Sequence, residues 1–180
     1  MSSTTTGTSE KEYLLSLLEK GKQQYLASLS DVDEHGAVVR VAEGKWTILE
    51  IAEHVAVAER QMVSLLTKMG KPGEAPREKD ALMLAAQENR EQKRQAPEPS
   101  HPKGRFSSLN EAREAFLSYR EATLAFVDSN SADLRAKVVE HPIAGTIDGY
   151  QLFLVIASHP ARHAKQIEEI KTHPAYPRAK

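Results

Sequence analysis

The stretch Tyr150–Lys171, YQLFLVIASHPARHAKQIEEIK, sets two histidines and a proline inside the apolar stripe of a helix. Leu152, Val155, Ile156, His159, His163, Gln166, Ile167 and Ile170 recur at the three-four spacing that gathers side chains on one helical face. His159 and His163 stand one turn apart, roughly 40° around the axis, so both rings can point the same way. Two imidazoles so placed can hold one metal ion. A helix that only had to pack would use leucine there at lower cost, because each buried ring nitrogen requires a partner. The plainer alternative is that the two histidines line or cap the helix, and an HxxxH pattern by itself does not choose. Pro160 removes the amide that would bond to the Ile156 carbonyl and disfavours helical geometry at His159. A kink is predicted there, with that carbonyl turned toward water or toward the site.

Three further stretches share the helical period. Residues 10–29 place Tyr13, Leu14, Leu17, Leu18, Gly21, Tyr25 and Leu29 inward. The second helix starts at Thr47, whose hydroxyl and the Glu50 carboxylate form a capping box, and runs to about Met69, where Gly70 suits the stop. Its stripe is Ile51, Val55, Ala58, Met62, Leu65, Leu66 and Met69, and His54 lies at the margin of that arc. By itself His54 reads as a core histidine. Trp46, the one tryptophan, stands just before the helix and is expected to anchor the loop onto the bundle end. The third long helix starts near Ser107 or Ser108 and turns Ala112, Ala115, Phe116, Tyr119, Thr123, Leu124 and Val127 inward. Arg120 falls within its arc, where it either snorkels to the bundle end or requires an anion or carbonyl partner.

The intervening segments differ in character. SDVDEHGAVVRVAEGK reads as a crossover loop, with a short extended piece at Val38–Val41 and a solvated His35. Residues 70–107 are punctuated by proline and glycine around a short, mostly exposed helix, with a solvated charge run at Glu88–Arg94 and His101 in a proline-flanked loop. Ser129–Glu140 reads as a turn and connector, and Thr146 or Asp148 as the N-cap of the last helix. Four long amphipathic helices argue for an all-α bundle with a short extra helix and a long loop between helices 2 and 3.

At 180 residues the chain suffices for one domain, taken as residues 10–175 behind a disordered polar tail at 1–9. A net charge of −1 gives no basic surface for nucleic acid or for an anionic membrane. No apolar run is long enough to span a bilayer, and MSSTTTGTSE has neither the basic nor the apolar part of a signal peptide. A cytoplasmic location is the default expectation. With no cysteine, thiolate metal sites, disulfides and a cysteine nucleophile are excluded.

Three stretches together resemble the DinB/YfiT-like superfamily, in its DinB-like domain group: WTILEIAEHVAVAER at 46–60, GRFSSLNEAREAFLSYREATLAFV at 104–127, and HPIAGTIDGYQLFLVIASHPARHAKQIEEIK at 141–171. The resemblance implies an up-down-down-up bundle with a metal at one end, held by His54 from the second long helix and by His159 and His163 from the fourth. It also implies, in part, a homodimer. The family includes thiol-dependent transferases that act with bacillithiol or mycothiol.

Three neutral imidazoles would leave the ion's charge uncompensated and at least one coordination position open, the pattern of a catalytic site. Zn²⁺ is the simplest fit, with Ni²⁺, Fe²⁺ and Mn²⁺ also compatible with imidazole. Proline at 160 stands where a zincin HExxH motif has its glutamate, so the general base of that class is absent. Two functions compete. One is a metal-dependent enzyme acting on a small molecule, either a thiol-dependent transferase or a hydrolase. The other is a non-enzymatic stress-response or ligand-binding bundle in which the metal is structural. Tyr119, Arg120 and Gln166 are inward polar residues available to bind substrate or support the ligands.

Overall fold

The computed structural model describes residues 4–88, 90, 95–129, 133–141 and 144–177. Each long helix begins and ends where local chemistry dictates. Thr47 Oγ1 accepts from the Glu50 amide while the Glu50 carboxylate accepts from the Thr47 amide, which starts α3 (Ile48–Met69), and Gly70 closes it. Asp148 and Gln151 form the same reciprocal cap at the start of α6 (Gly149–Lys171). Ser108 Oγ accepts from the Glu111 amide at the start of α5 (Leu109–Ser129). The first helix, α1 (Thr4–Leu29), begins six residues before the expected Glu10, and residues 1–3 lie outside the described residues. Extending an existing helix adds one hydrogen bond per residue fixed, so the polar Ser/Thr stretch can continue it.

The four long helices form an up-down-down-up bundle. Helices α1 and α6 run parallel: Gly21 lies against Ala157, and seven residues on, the Ser28 carbonyl accepts from Lys171. A Cβ at Gly21 would lie 2.1 Å from the Ala157 carbonyl oxygen, so only glycine permits this approach. One core cluster gathers Leu14, Leu18, Leu66, Phe153 and Ile156. The other gathers Tyr25, Ile51, Val55, Phe116 and Ile167.

Between these helices the connections carry more structure than their sequence suggests. Val38–Val41 forms no strand; a single helical turn, α2 (Glu34–Ala37), capped by Asp33, precedes it. The short extra helix is α4 (Lys79–Glu88), which buries Met83 toward α6. Of the charged run Glu88–Arg94, Asn89 and residues 91–94 lie outside the described residues, and Arg90 pairs with Glu169. The expected turn and connector at Ser129–Glu140 holds a strand: β2 (Lys137–His141) pairs antiparallel with β3 (Gly145–Asp148) and with β1 (Lys71–Pro72). A local hairpin of β2 and β3 picks up the two-residue β1 from a distant loop, and strands this short carry no run of alternating side chains long enough to announce them. Beside it Arg135 stacks on Tyr150, 3.9 Å from the ring centroid, and joins Glu10, Asp80 and Asp148, fixing α1, α4 and the start of α6. No helix among the described residues is long and apolar enough to cross a membrane.

At mid-bundle Arg120 does not snorkel. It is 0% exposed and makes a two-pronged pair with Glu59 on α3, both contacts at 2.8 Å. It also donates to the carbonyls of Leu18 on α1 (2.6 Å) and Ile156 on α6 (2.9 Å). Ile156 is the residue whose carbonyl Pro160 leaves without its helical partner. That carbonyl turns to the guanidinium rather than to water or the histidines, and α6 continues through Pro160.

Replacing Arg120 by Met should destabilise the protein by about 3–5 kcal/mol, because Glu59 is left buried without its counter-charge. Adding Glu59→Leu should recover much of the loss. Urea denaturation of the two variants beside the parent measures both, and a double variant no more stable than the single one would contradict this account.

Candidate metal centre

His54 is brought into the interior by α3, on the turn after Ile51, and His159 and His163 by consecutive turns of α6. The two helices cross so that the three Nε2 atoms converge. His159 Nε2 lies 3.2 Å from His54 Nε2 and 3.1 Å from His163 Nε2, and the rings are 4.5–5.0 Å apart centre to centre. Nitrogens sharing one ion at ~2.0–2.1 Å stand roughly 3 Å from one another, so this spacing suits a common ion.

The outer ring nitrogens determine what the inner ones offer. His54 Nδ1 is 2.9 Å from the Ser100 carbonyl oxygen, and His163 Nδ1 is 2.8 Å from Gln166 Oε1. Both oxygens can only accept, so both Nδ1 atoms carry the proton and both Nε2 atoms present lone pairs. A neutral His159 can donate a proton to at most one of them. A divalent cation among the three satisfies all the lone pairs at once, and the chain's residues therefore fit one.

Electrostatics point the same way. Burial pushes His159 and His163 well below the ordinary histidine value of 6.5, and the neighbouring imidazoles push in the same direction. His54 is lowered too, mainly by burial, with a smaller contribution from His101. All three are held neutral, the state in which imidazole binds metal.

The other candidates have distinct places. Gln166 orients His163 directly. Arg120, expected among the substrate-binding residues, is instead enclosed with its donors taken by Glu59 and two carbonyls, and it faces no open space. Tyr119 is half-buried on α5, where the Arg60 guanidinium lies 5.9 Å from its ring centre. Trp46 covers His54 from outside, with ring centres 5.1 Å apart, and also meets His101 at 5.9 Å. His101 itself is turned to the Ala96 carbonyl, and His35 is exposed. A cleft lined by Leu17, Lys20, Gly21, Ala157, Ser158 and Arg162 lies along another face of α6, and none of the three histidines lines it.

Sequence reasoning missed two contributors. The Ser100 carbonyl is a backbone group in a loop that looks unsuited to any role, and no residue type signals it. Glu59 carries a signal: it follows Val55 by four and precedes Met62 by three, which sets a carboxylate inside the apolar arc of that helix, although not its partner.

A sequence profile describing the DinB superfamily matches residues 17–167. The chain belongs to the DinB superfamily. Among solved structures it is similar to YfiT from Bacillus subtilis, described as a probable metal-dependent hydrolase with an unusual four-helix bundle topology. That match has 13% identity, a TM-score of 0.59, and coverage of 93% of this chain and 89% of that one. It is also similar to TT2238, described as a four-helix bundle protein, at 22% identity and a TM-score of 0.53, covering 88% of this chain and 98% of that one. At these identities the likeness is one of fold. No curated protein matches.

The histidines' depressed values predict how the metal-free protein responds to acid. As pH falls below 6.5 the unfolded chain takes up protons that the folded site refuses, so stability should fall progressively from 6.5 downward. Melting temperatures at about pH 7.5 and about pH 5.5 should differ more for the parent than for a variant with His159 and His163 both changed to Leu. Equal losses in the two would show that these rings are not the acid-sensitive groups.

Proposed function

We propose that this protein is a metal-dependent enzyme that acts on a small molecule at an ion held by His54, His159 and His163. The observation that carries the reading is the convergence of three neutral imidazole nitrogens from two helices with no carboxylate in the cluster. Such a donor set leaves the ion its full charge and room for a further ligand. Zn²⁺ or Ni²⁺ suits three imidazoles best, with Fe²⁺ or Mn²⁺ as weaker fits. When bound, the ion supplies Lewis acidity that makes a nearby water or thiol more acidic.

This chain's own residues narrow the choice. Pro160 supplies no carboxylate beside His159, and Glu59 is bound to Arg120. A thiol, with an ordinary pKa of ~8.5, needs less help to lose its proton than water. Thiol-dependent transfer is therefore the first reading and hydrolysis the second, the latter favoured by the description of the YfiT fold neighbour. Gln166 and the Ser100 carbonyl hold the imidazoles, and Trp46 shields His54 from solvent. A purely structural role for the ion is disfavoured, because Arg120 already joins the four helices. A homodimer, supported in part by the family likeness, and a cytoplasmic location, as the default, remain part of the proposal. Light scattering returning a monomer mass at high concentration would remove the dimer.

The purified protein should bind about one divalent ion per chain. His54→Ala, His159→Ala and His163→Ala should each lower occupancy strongly, whereas His35→Ala and His101→Ala should leave it unchanged. Elemental analysis of the five variants reads this directly, and equal retention in all five would overturn the site. The loaded protein, screened with low-molecular-weight thiols plus electrophiles and separately with esters and amides, should turn over in the first screen. Turnover only in the second would make it a hydrolase, and none in either would return it to the binding proteins.

A further inference from the structure

Glu53 is the residue immediately before His54, and it is 2% exposed although ionisable. A carboxylate so buried is costly unless its oxygens are fully bonded. Here they are bonded by a single turn of backbone. Glu53 accepts from the amides of Lys103 at 2.6 Å, Gly104 at 3.0 Å and Arg105 at 3.1 Å, and from Arg105 Nη1 at 2.6 Å. Gly104 has φ +70°, a left-handed conformation open to glycine, and this brings successive amides onto one anion. Arg105 then folds back on the same loop and donates to the carbonyls of His101 and Pro99, while Gln61, two turns along α3, donates to Pro99 as well.

The loop held in this way carries Ser100, 3% exposed, whose carbonyl accepts a hydrogen bond from His54 Nδ1–H. Residues 53 and 54 of α3 thus grip one loop from two sides. Glu53 fixes where the loop lies, and the loop fixes which nitrogen of His54 bears the proton. Nothing in the fold of the bundle requires this loop to be tied by a buried charge; a hydrophobic residue would hold it against α3 at less desolvation cost. The requirement comes from His54, whose lone pair must face His159 and not the loop.

We propose that Glu53 is a positioning residue for the metal centre: through the loop 100–105 it holds the Ser100 carbonyl on His54 Nδ1 and so keeps His54 Nε2 unprotonated and aimed at the other two histidines. The inference rests on the reading of His54, His159 and His163 as one metal site. Outer partners of ligating histidines typically govern metal affinity by 10–100-fold, and Glu53 should act at the lower end of that range because it works through an intermediary.

The test uses Glu53→Gln, which keeps the shape of the side chain but sets an NH₂ group against amides that can only donate. Zn²⁺ affinity, measured by chelator competition, should fall about tenfold. In the metal-free protein, ¹⁵N shifts of the His54 ring should change from a single Nδ1-protonated form to a mixture of tautomers, while those of His163, held by Gln166, stay as they are. A loss of stability alone would not move one ring's tautomer and spare the other. In a His54→Ala background, Glu53→Gln should weaken the residual Zn²⁺ binding no further. Should Glu53→Gln fail to fold, Arg105→Ala removes only the side-chain bond and should shift the same two readouts in the same direction by less. Unchanged affinity together with an unchanged His54 tautomer in a folded variant would overturn the inference. A parent protein that binds no Zn²⁺ would overturn the metal reading itself, which the tautomer measurement in metal-free protein keeps separate.

Discussion

The guanidinium of Arg120 touches all four long helices. It is rooted on α5, paired with Glu59 of α3, and bonded to main-chain carbonyls of α1 and α6. A buried ion pair of this kind contributes little net stability, since desolvation of the two charges offsets much of their attraction. What it adds is registry. Apolar side chains tolerate sliding by a fraction of a turn, but a planar donor with fixed partners on three other helices does not. Two of those partners belong to α3 and α6, the helices that carry the three histidines, so the pair sets the relative height at which those rings meet.

Pro160 belongs to the same arrangement. A proline inside a helix leaves one carbonyl without its amide, and in an apolar interior that carbonyl would be an unsatisfied acceptor. Arg120 supplies the missing donor. Gly21 completes the fit from the other side, because its lack of a side chain lets α1 lie against the carbonyl of Ala157, the residue after Ile156. The part of α6 just before His159 is therefore held by contacts with α1 and α5 rather than by its own ladder alone. Ligand geometry tolerates only small displacements, and this constraint on the main chain serves the side chains one turn later.

The histidine cluster works against stability in the absence of an ion. Two rings are buried and that of His159 half-buried; all three are kept neutral and brought close enough that their lone pairs conflict, while a carbonyl and an amide oxygen hold two of them in place from behind. A core selected for packing alone would contain none of this. The arrangement makes sense as one prepared for a cation, with its cost carried by the surrounding apolar clusters and by the ion itself when bound.

Most of the fold was legible along the chain. The three-four recurrence of apolar residues located the four long helices, and Thr47 with Glu50, Gly70 and Asp148 marked their ends, because helix periodicity and capping are local chemistry that acts within a few residues. The same locality made His159 and His163 recognisable as a pair, and Gln166 as a neighbour on their face. What the chain alone left open depended on groups brought together from far apart. The sheet joins a local hairpin of β2 and β3, too short to show a period, to β1 more than sixty positions away, where Lys71 pairs with Val138. Arg120 was recognisable as inward but not as paired, since its partner Glu59 lies 61 residues away. The approach of His54 to His159 spans 105 residues, so periodicity left His54 a core histidine and only the family resemblance joined it to the pair; the Ser100 carbonyl that orients His54 is main chain, which every residue possesses and no sequence distinguishes. Local periodicity determined the helices and one pair of candidate ligands; the tertiary structure alone decided which distant groups would share a buried charge, a proton or an ion.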